Sequence, residues 1–355
     1  MLVYVILAII AILFLRATKK CQDIVSVTLM TVMMVLCGLR GRYVGTDTLH
    51  YMGYVEGSFT GQSFGFVYEF LREVSLVIGS NPNIFLMILA VLTYIPLMLL
   101  IVRESNKPVL SVYLFMTTTG LFFLETFNIA RQSIAIVFIL WSAVFLNKKR
   151  YLWSFIFFIL GFCFHPYVFP FIIMYVLNKI VLKKWMVAIC LSLSFLVGFW
   201  GVLDRISDVI ELLYAATSGS ESVLVEQLGK YSGRDTSYDY SFLGKMRHML
   251  PITLLCWFSY SSRFKNELYF KMLLIGAIIV NLFIATQYCE RIASTFTLSQ
   301  ILVIPIALQN GNYFKKISLI VLLFLVSILY LYNLNGMQNN DFEDYPVPYK
   351  TCFQD

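Results

Sequence analysis

The sequence predicts an all-α integral membrane protein, a polytopic bundle of about twelve transmembrane helices. Of its 355 residues, 59% are hydrophobic and only 13% are charged, whereas about a quarter of the residues in soluble domains are charged. Apolar runs that approach the length of a membrane crossing, about 20 residues, recur from residue 2 to residue 334. We therefore expect residues 1–334 to form a single polytopic membrane domain and residues 335–355 to form an extracytoplasmic tail.

The spans follow from the apolar runs in chain order. The first run, LVYVILAIIAILFL, is short, but it lacks the basic region and the small-residue cleavage site of a signal peptide, so we interpret it as a span. The least regular stretch is 151–180, which contains a His-Pro pair. The predicted spans are residues 2–15, 24–39, 83–102, 109–124, 127–146, 151–164, 166–180, 185–203, 246–260, 272–287, 291–309 and 316–334.

The connections between these spans alternate in charge. Short segments such as RATKKCQD and QNGNYFKK hold 16 of the 27 Lys and Arg residues, and the positive-inside rule places them in the cytoplasm. Both termini and residues 40–82 and 204–245 then lie outside. Within them, the apolar and charged faces of 64–79 and 205–216 predict interfacial helices, and the Gly, Ser, Asp and Tyr content of 228–243 predicts a loop.

The positive residues that remain on the outer side are mainly arginines. Eight of these eleven residues are Arg, whereas lysine predominates in the cytoplasmic connections. Because a guanidinium binds phosphate oxygens in pairs, while lysine is a point charge, this bias indicates a phosphorylated ligand on the outer face. The formal net charge of +7 follows from the cytoplasmic loops and does not indicate a nucleic-acid partner.

Polar residues interrupt the apolar segment FNIARQSIA. Asn128, Arg131 and Gln132 are spaced i, i+3 and i+4, so they share one face of a helix. An arginine near the middle of a membrane costs about 2.5 to 3.5 kcal/mol, and such residues usually line polar cavities. The alternative is that Arg131 pairs with Glu125 or extends to the outer interface. We favour a polar cavity.

Further candidates lie at the outer ends of other predicted spans. Arg247 and His248 fall in the first turns of the ninth span, and Glu290 and Arg291 begin the eleventh. Each pair is either an ordinary helix-end group or part of a ligand site. His165 precedes a proline at a bend, where it either forms a structural hydrogen bond or acts as a general base.

The polar segment RGRYVGTDTLHY, residues 40–51, follows the second span. Asp47 is its only acidic residue. It can cap the following helix, accept a hydroxyl proton, or orient an arginine, and the sequence leaves these three roles open. The seven cysteines show neither a CxxC motif nor a Cys/His spacing typical of metal sites, so we expect no metal.

Four segments together resemble the EpsG-like family of Wzy-type polysaccharide polymerases: RYVGTDT followed by Tyr51, NIARQSIA, the FH at 164–165, and a late ER before an aromatic-containing helix. The resemblance covers residues 40 to about 305. It implies a GT-C-like, metal-independent glycosyltransferase without a cofactor, on the outer face of the bacterial cytoplasmic membrane. Its donor and acceptor would be oligosaccharide units linked to undecaprenyl diphosphate, which it joins into O-antigen or capsule. Membrane lipids and a chain-length regulator are the other implied partners.

The resemblance also implies site residues. The family motifs correspond here to Arg42, Gly45, Asp47, Tyr51, Arg131, Gln132, His165 and Arg291, and position adds Arg40, Asn128, Arg247, His248 and Glu290. The implied roles are diphosphate binding by the arginines and hydroxyl activation by Asp47 or His165. An O-antigen ligase with the same donor is one alternative, and a flippase, which should show repeat symmetry and polar groups at the midplane, is the other.

Overall fold

The protein is described by a computed structural model that covers residues 1–58, 65–118, 122–201, 241–260, 267–284, 287–339 and 346–354. Within these ranges the chain is helical, and its β-structure is limited to one antiparallel bridge between Arg40 and Thr351. The predicted interfacial helix at 205–216, most of the outer segment 204–245 and the side chain of Glu290 lie outside the described residues.

The helices follow the apolar runs closely. Their bounds are α1 Leu2–Leu13, α2 Lys19–Gly38, α3 Thr48–Glu56, α4 Phe66–Ile78, α5 Pro82–Glu104, α6 Pro108–Thr117, α7 Phe122–Asn128, α8 Ala130–Asn147, α9 Tyr151–Phe164, a 3-10 helix Pro166–Ile172, α10 Ile173–Leu177, α11 Lys184–Phe199, α12 Phe242–Ser259, α13 Leu268–Leu282, α14 Gln287–Thr297, α15 Gln300–Asn310 and α16 Tyr313–Asn339. Within the described residues, each predicted span overlaps a helix or a broken pair of helices.

Several of these helices are long and apolar enough to cross a membrane. In the described part of the chain, five segments meet that standard: Lys19–Gly38, Pro82–Glu104, Ala130–Asn147, Arg291–Asn310 and Tyr313–Gln338. The pair α6 and α7, bent by 57°, makes a sixth if it is one broken span, and α1, α9, α11 and α13 are apolar but shorter. The chain is therefore a helical, membrane-embedded protein, while the number of twelve crossings stays a prediction.

One predicted span is interrupted by prolines. Residues 166–180 form a 3-10 turn and then the short α10, because Pro166 and Pro170 lack the backbone N–H that an α-helix interior needs. The break predicted between the spans 109–124 and 127–146 lies instead at Ile129, between α7 and α8.

Helix α8 lies in the interior, with most of its side chains buried. It packs against α5, α7, α9, α13, α14 and the 3-10 helix. Gly161 allows α9 to approach closely, because a Cβ there would lie 3.0 Å from the carbonyl oxygen of Ala135. This central position places the N-terminal turn of α8, with Arg131 and Gln132, among several other elements.

The connections predicted to be cytoplasmic contact one another. Asn106 Nδ2 donates to Gln309 Oε1 at 2.7 Å, and Lys148 Nζ lies 2.6 Å from Glu104 Oε1. Lys271 Nζ donates to the carbonyl oxygen of Asn178 at 3.0 Å. The segments predicted to lie outside likewise meet one another, since residues 39–41 pair with residues 350–352.

Helix α4 leaves an apolar face uncovered. Phe66, Phe70 and Val77 are 82%, 60% and 88% exposed, whereas Tyr68 and Ser75 are buried. A helix with one apolar, unpacked face is typical of the membrane interface. This is the face that the periodicity of residues 64–79 predicts.

Candidate functional site

Arg40 joins the end of α2 to the start of α3. Its Nε donates to Thr48 Oγ1 at 2.7 Å, and its Nη1 donates to the carbonyl oxygen of Cys37. The guanidinium also lies 5.7 Å from the ring centroid of Phe127. Since Arg40 is only 1% exposed, it supports the loop at residues 41–47 from within the core.

Gly45 lets this loop lie directly against the junction of α7 and α8. Its φ is +93°, and a Cβ there would lie 2.8 Å from the carbonyl oxygen of Phe127 and 3.0 Å from Asn128 Oδ1. The backbone N–H of Thr46 donates to Asn128 Oδ1 at 3.0 Å. Glycine is therefore required both for the backbone conformation and for the close approach.

Asp47 occupies the N-cap position of α3, but its side chain makes no capping hydrogen bond. The capping role that the sequence left open is thus not realised. The carboxylate is half-buried, and burial raises its pKa. The charges of Arg291, Arg131 and Arg40 act in the opposite direction. Asp47 therefore lies near arginines from three separate segments.

Arg131, in the first turn of α8, contacts one residue of α3 and one of α4. Its guanidinium is 5.6 Å from the ring centroid of Tyr68, and its backbone is hydrogen-bonded to the hydroxyl of Tyr51. Tyr68 in turn donates to the carbonyl oxygen of Phe164 at 3.4 Å. Sequence reasoning missed Tyr68; its only signal was its position on α4 opposite the exposed phenylalanines.

Gln132 connects α8 to α14. Its amide nitrogen donates to the carbonyl oxygen of Arg291 and, at 3.1 Å, to Ser294 Oγ. Gln132 is 1% exposed, and its two hydrogen bonds hold the backbone of Arg291 against α8. Arg291 itself is half-buried and contributes positive charge at both Asp47 and His165.

His165 lies at the bend between α9 and the 3-10 helix. Its Nδ1 accepts a hydrogen bond from the backbone N–H of Tyr167 at 3.3 Å, so the neutral ring carries its proton on Nε2. Burial, followed by the charges of Arg131 and Arg291, lowers the pKa of His165 to about 4. The imidazole is therefore neutral near pH 7 and presents an N–H donor.

Three predicted site residues, Arg42, Arg247 and His248, make other contacts. Arg42 forms an ion pair with Glu56. Arg247 lies 5.1 Å from the ring centroid of Tyr332 and, with His248, lines a small pocket bounded also by Thr117, Thr118, Val326, Leu329, Tyr330 and Asn333. Arg42 therefore pairs within the outer segment, and the pocket of Arg247 and His248 is lined by none of the residues around Asp47.

The structure brings eight of the predicted residues together: Gly45, Asp47, Tyr51, Asn128, Arg131, Gln132, His165 and Arg291. Two guanidiniums, one carboxylate and one neutral imidazole are only half-buried and remain accessible. Paired guanidiniums suit a phosphate oxyanion, and a carboxylate of raised pKa suits proton acceptance. Among the described residues, no group of three or more His, Cys, Asp and Glu side chains is arranged to hold a metal ion.

Comparison with known proteins gives one finding. The model of the EpsG family matches residues 23–351, nearly the whole chain. This range contains every residue of the site. No curated protein and no solved structure matches the chain.

Proposed function

The chain belongs to the EpsG family, a family of Wzy-like polymerases, and on that basis we propose that it is a membrane glycosyltransferase. It joins oligosaccharide units carried on undecaprenyl diphosphate into a surface polysaccharide, O-antigen or capsule. The observation that carries the proposal is that Arg131 and Arg291 act electrostatically on both Asp47 and His165, although these four half-buried side chains come from four separate segments.

In the proposed reaction, a sugar hydroxyl of the acceptor unit attacks the anomeric carbon of the donor chain. A new glycosidic bond forms, the bond from the anomeric carbon to the diphosphate breaks, and undecaprenyl diphosphate leaves with an added negative charge. Arg131 and Arg291 stabilise that charge, since donors aimed at a developing anion lower the barrier most. The proposed scheme uses no metal ion, as the resemblance to metal-independent GT-C-like glycosyltransferases implies.

The hydroxyl proton passes to Asp47. Burial raises the pKa of this carboxyl, and a carboxylate of raised pKa is a stronger base. His165 is less suited to that role because its Nδ1 already accepts the Tyr167 N–H. We propose that His165 instead donates from Nε2 to the substrate.

The remaining residues fall into two groups. Gly45, Asn128, Gln132 and Arg40 fix the loop and the helices that carry the reacting groups, and Tyr51 braces Arg131. We propose that Arg42, Arg247, His248 and Glu290 contact parts of the two lipid-linked substrates farther from the reacting bond. A chain-length regulator is the further proposed partner.

We place the site on the outer face of the bacterial cytoplasmic membrane, in a single domain of residues 1–334 with about twelve crossings. Two findings support this arrangement. The connections rich in lysine contact one another, and the N-terminal turn of α1 lies against the C-terminal segment, with Tyr4 bonded to Pro346. Both termini then share the side of the membrane that carries the site.

Deletion of the gene tests the function. Analysis of surface polysaccharide and of its lipid-linked precursors should show single repeat units on the surface in place of a chain-length ladder. Finished polymer left on undecaprenyl diphosphate would indicate a ligase, and units trapped inside would indicate a flippase. An unchanged ladder would contradict the proposal.

A further inference from the structure

The C-terminal segment does not form a free tail. Residues 346–352, called the C-terminal strap here, run antiparallel to residues 39–41. The backbone N–H of Gly41 donates to the carbonyl oxygen of Lys350 at 3.0 Å, and that of Cys352 donates to Leu39 at 2.9 Å. The strap therefore pairs with the backbone that begins the loop carrying Asp47.

Buried side chains anchor the strap on the helices. Val347 is 1% exposed, and the hydroxyl of Tyr349 donates to the carbonyl oxygen of Leu36, near the end of α2, at 3.0 Å. The hydroxyl of Tyr4 in α1 donates to the carbonyl oxygen of Pro346 at 2.6 Å. Two helices thus hold a segment that is separated from them by more than three hundred residues.

The strap reaches the site by a second route as well. The ring of Tyr349 makes an edge contact with Phe127, with centroids 6.4 Å apart, and Tyr4 contacts the same ring at 6.4 Å. Phe127 lies next to Asn128, which accepts the Thr46 N–H. The strap therefore braces both partners of the close contact between the Asp47 loop and the α7–α8 junction.

We propose that the C-terminal strap positions the site, with Tyr349 as its main positioning residue. It fixes the end of α2 and the ring of Phe127 at a constant separation, so that Asp47 stays beside Arg131. The strap contributes no group to the reaction itself. This inference rests on the proposed function, because positioning matters only if the two residues act together on a substrate.

Positioning has a kinetic consequence. Loss of the strap should lower the rate of the chemical step, because catalysis requires reacting groups held within a fraction of an ångström. Substrate binding should change little, since Arg131 and Arg291 keep their own supports on Tyr68 and Gln132. We therefore expect kcat to fall and KM to stay nearly constant.

Three full-length variants test this. Tyr349→Ala removes the hydrogen bond and the ring contact, whereas Tyr349→Phe removes only the bond to Leu36. Phe353→Ala is the matched control, because Phe353 belongs to the same C-terminal segment but is 83% exposed. Each purified protein is assayed for kcat and KM of polymerisation with a lipid-linked repeat unit, per mole of folded protein.

A second readout does not depend on activity. Cys37 is 3% exposed and lies beneath Arg40, which donates to its sulfur. Labelling by a maleimide, quantified by mass spectrometry at Cys37, reports whether the end of α2 has loosened. We expect Tyr349→Ala to lower kcat roughly tenfold, given that a misplacement of about 1 Å costs up to about 10²-fold, and to speed labelling of Cys37. Tyr349→Phe should recover most of both losses, and Phe353→Ala should match the wild type.

The outcomes separate the two hypotheses. If the wild-type protein shows no polymerase activity, the proposed function fails, while labelling still tests the strap. If the wild type polymerises and Tyr349→Ala equals Phe353→Ala in kcat and in labelling, the strap has no positioning role. A Tyr349→Ala protein that loses only folded yield, with kcat per folded molecule unchanged, also overturns the inference.

Discussion

Gly45→Ala perturbs the contact on which the site geometry depends. At φ +93°, Gly45 has a backbone conformation that side-chain-bearing residues rarely adopt, at a cost of about 1 to 2 kcal/mol. The added Cβ would also lie 2.8 Å from the carbonyl oxygen of Phe127 and 3.0 Å from Asn128 Oδ1. Backbone cannot yield as a flexible side chain can, so the loop itself must move away from the α7–α8 junction.

That movement separates Asp47 from Arg131. The contact with Phe127 must lengthen by several tenths of an ångström, and the hydrogen bond from Thr46 to Asn128 weakens with it. Since a misplacement of about 1 Å can cost about 10²-fold in rate, we expect the polymerisation rate to fall roughly tenfold to hundredfold. The assay is the initial rate of polymer formation by purified protein in liposomes, per mole of folded enzyme.

Gly65→Ala is a closely matched control. Gly65 has φ +94°, yet a Cβ there would meet no atom within 4 Å. Gly65→Ala should therefore lower thermal stability through backbone strain alone and keep nearly the wild-type rate. Wild-type rates in Gly45→Ala, or equal losses in both variants, would refute the reasoning.

Three further predictions concern ionisable side chains of the site. Arg131→Ala should lower the polymerisation rate by about 10² to 10³, as for other groups that stabilise a developing anion. Arg42→Ala, which removes the ion pair with Glu56, should lower it far less in the same liposome assay. Asp47→Asn should lower the rate by about 10² to 10⁴, the usual contribution of a general base. The wild-type pH–rate profile should rise through a pKa above that of an ordinary aspartate, and this limb should be absent from the variant. His165 has a pKa lowered from 6.5 to about 4, so its contribution to stability is complete above pH 6.5 and is lost as the pH falls toward 4. Thermal unfolding between pH 7 and 4 should accordingly depend less on pH in His165→Gln, and an unchanged dependence would contradict the assigned environment.

The sequence predicts the helices well because hydrophobic runs are a direct signal of burial in a membrane or a core. The sequence also predicts one helix face for Asn128, Arg131 and Gln132, but this is wrong for Asn128, which ends α7 and is separated from α8 by Ile129. It does not distinguish their roles, because Gln132 faces Arg291 only after α8 and α14 pack together. The burial of Arg40 has the same origin: its partners Cys37, Thr48 and Phe127 meet only in the folded chain.

Structural features that depend on backbone pairing are harder to predict from the sequence. The C-terminal strap is short and has neither helical nor strand periodicity. The sequence of residues 335–355 therefore predicts only a tail. Its bridge to Arg40 depends on two backbone hydrogen bonds that any residue except proline can make. Tyr68 was missed because one buried tyrosine in an interfacial helix resembles the aromatic residues common at membrane surfaces.

Reconstitution tests the central claim most directly. The wild-type protein and Arg131→Ala are placed in liposomes with a single, chemically defined repeat unit on undecaprenyl diphosphate. We expect the wild type to form a ladder of longer chains and to release one undecaprenyl diphosphate for each bond made, and we expect Arg131→Ala to do neither. A folded wild-type protein that forms no ladder, or an equal ladder from Arg131→Ala, would contradict the account.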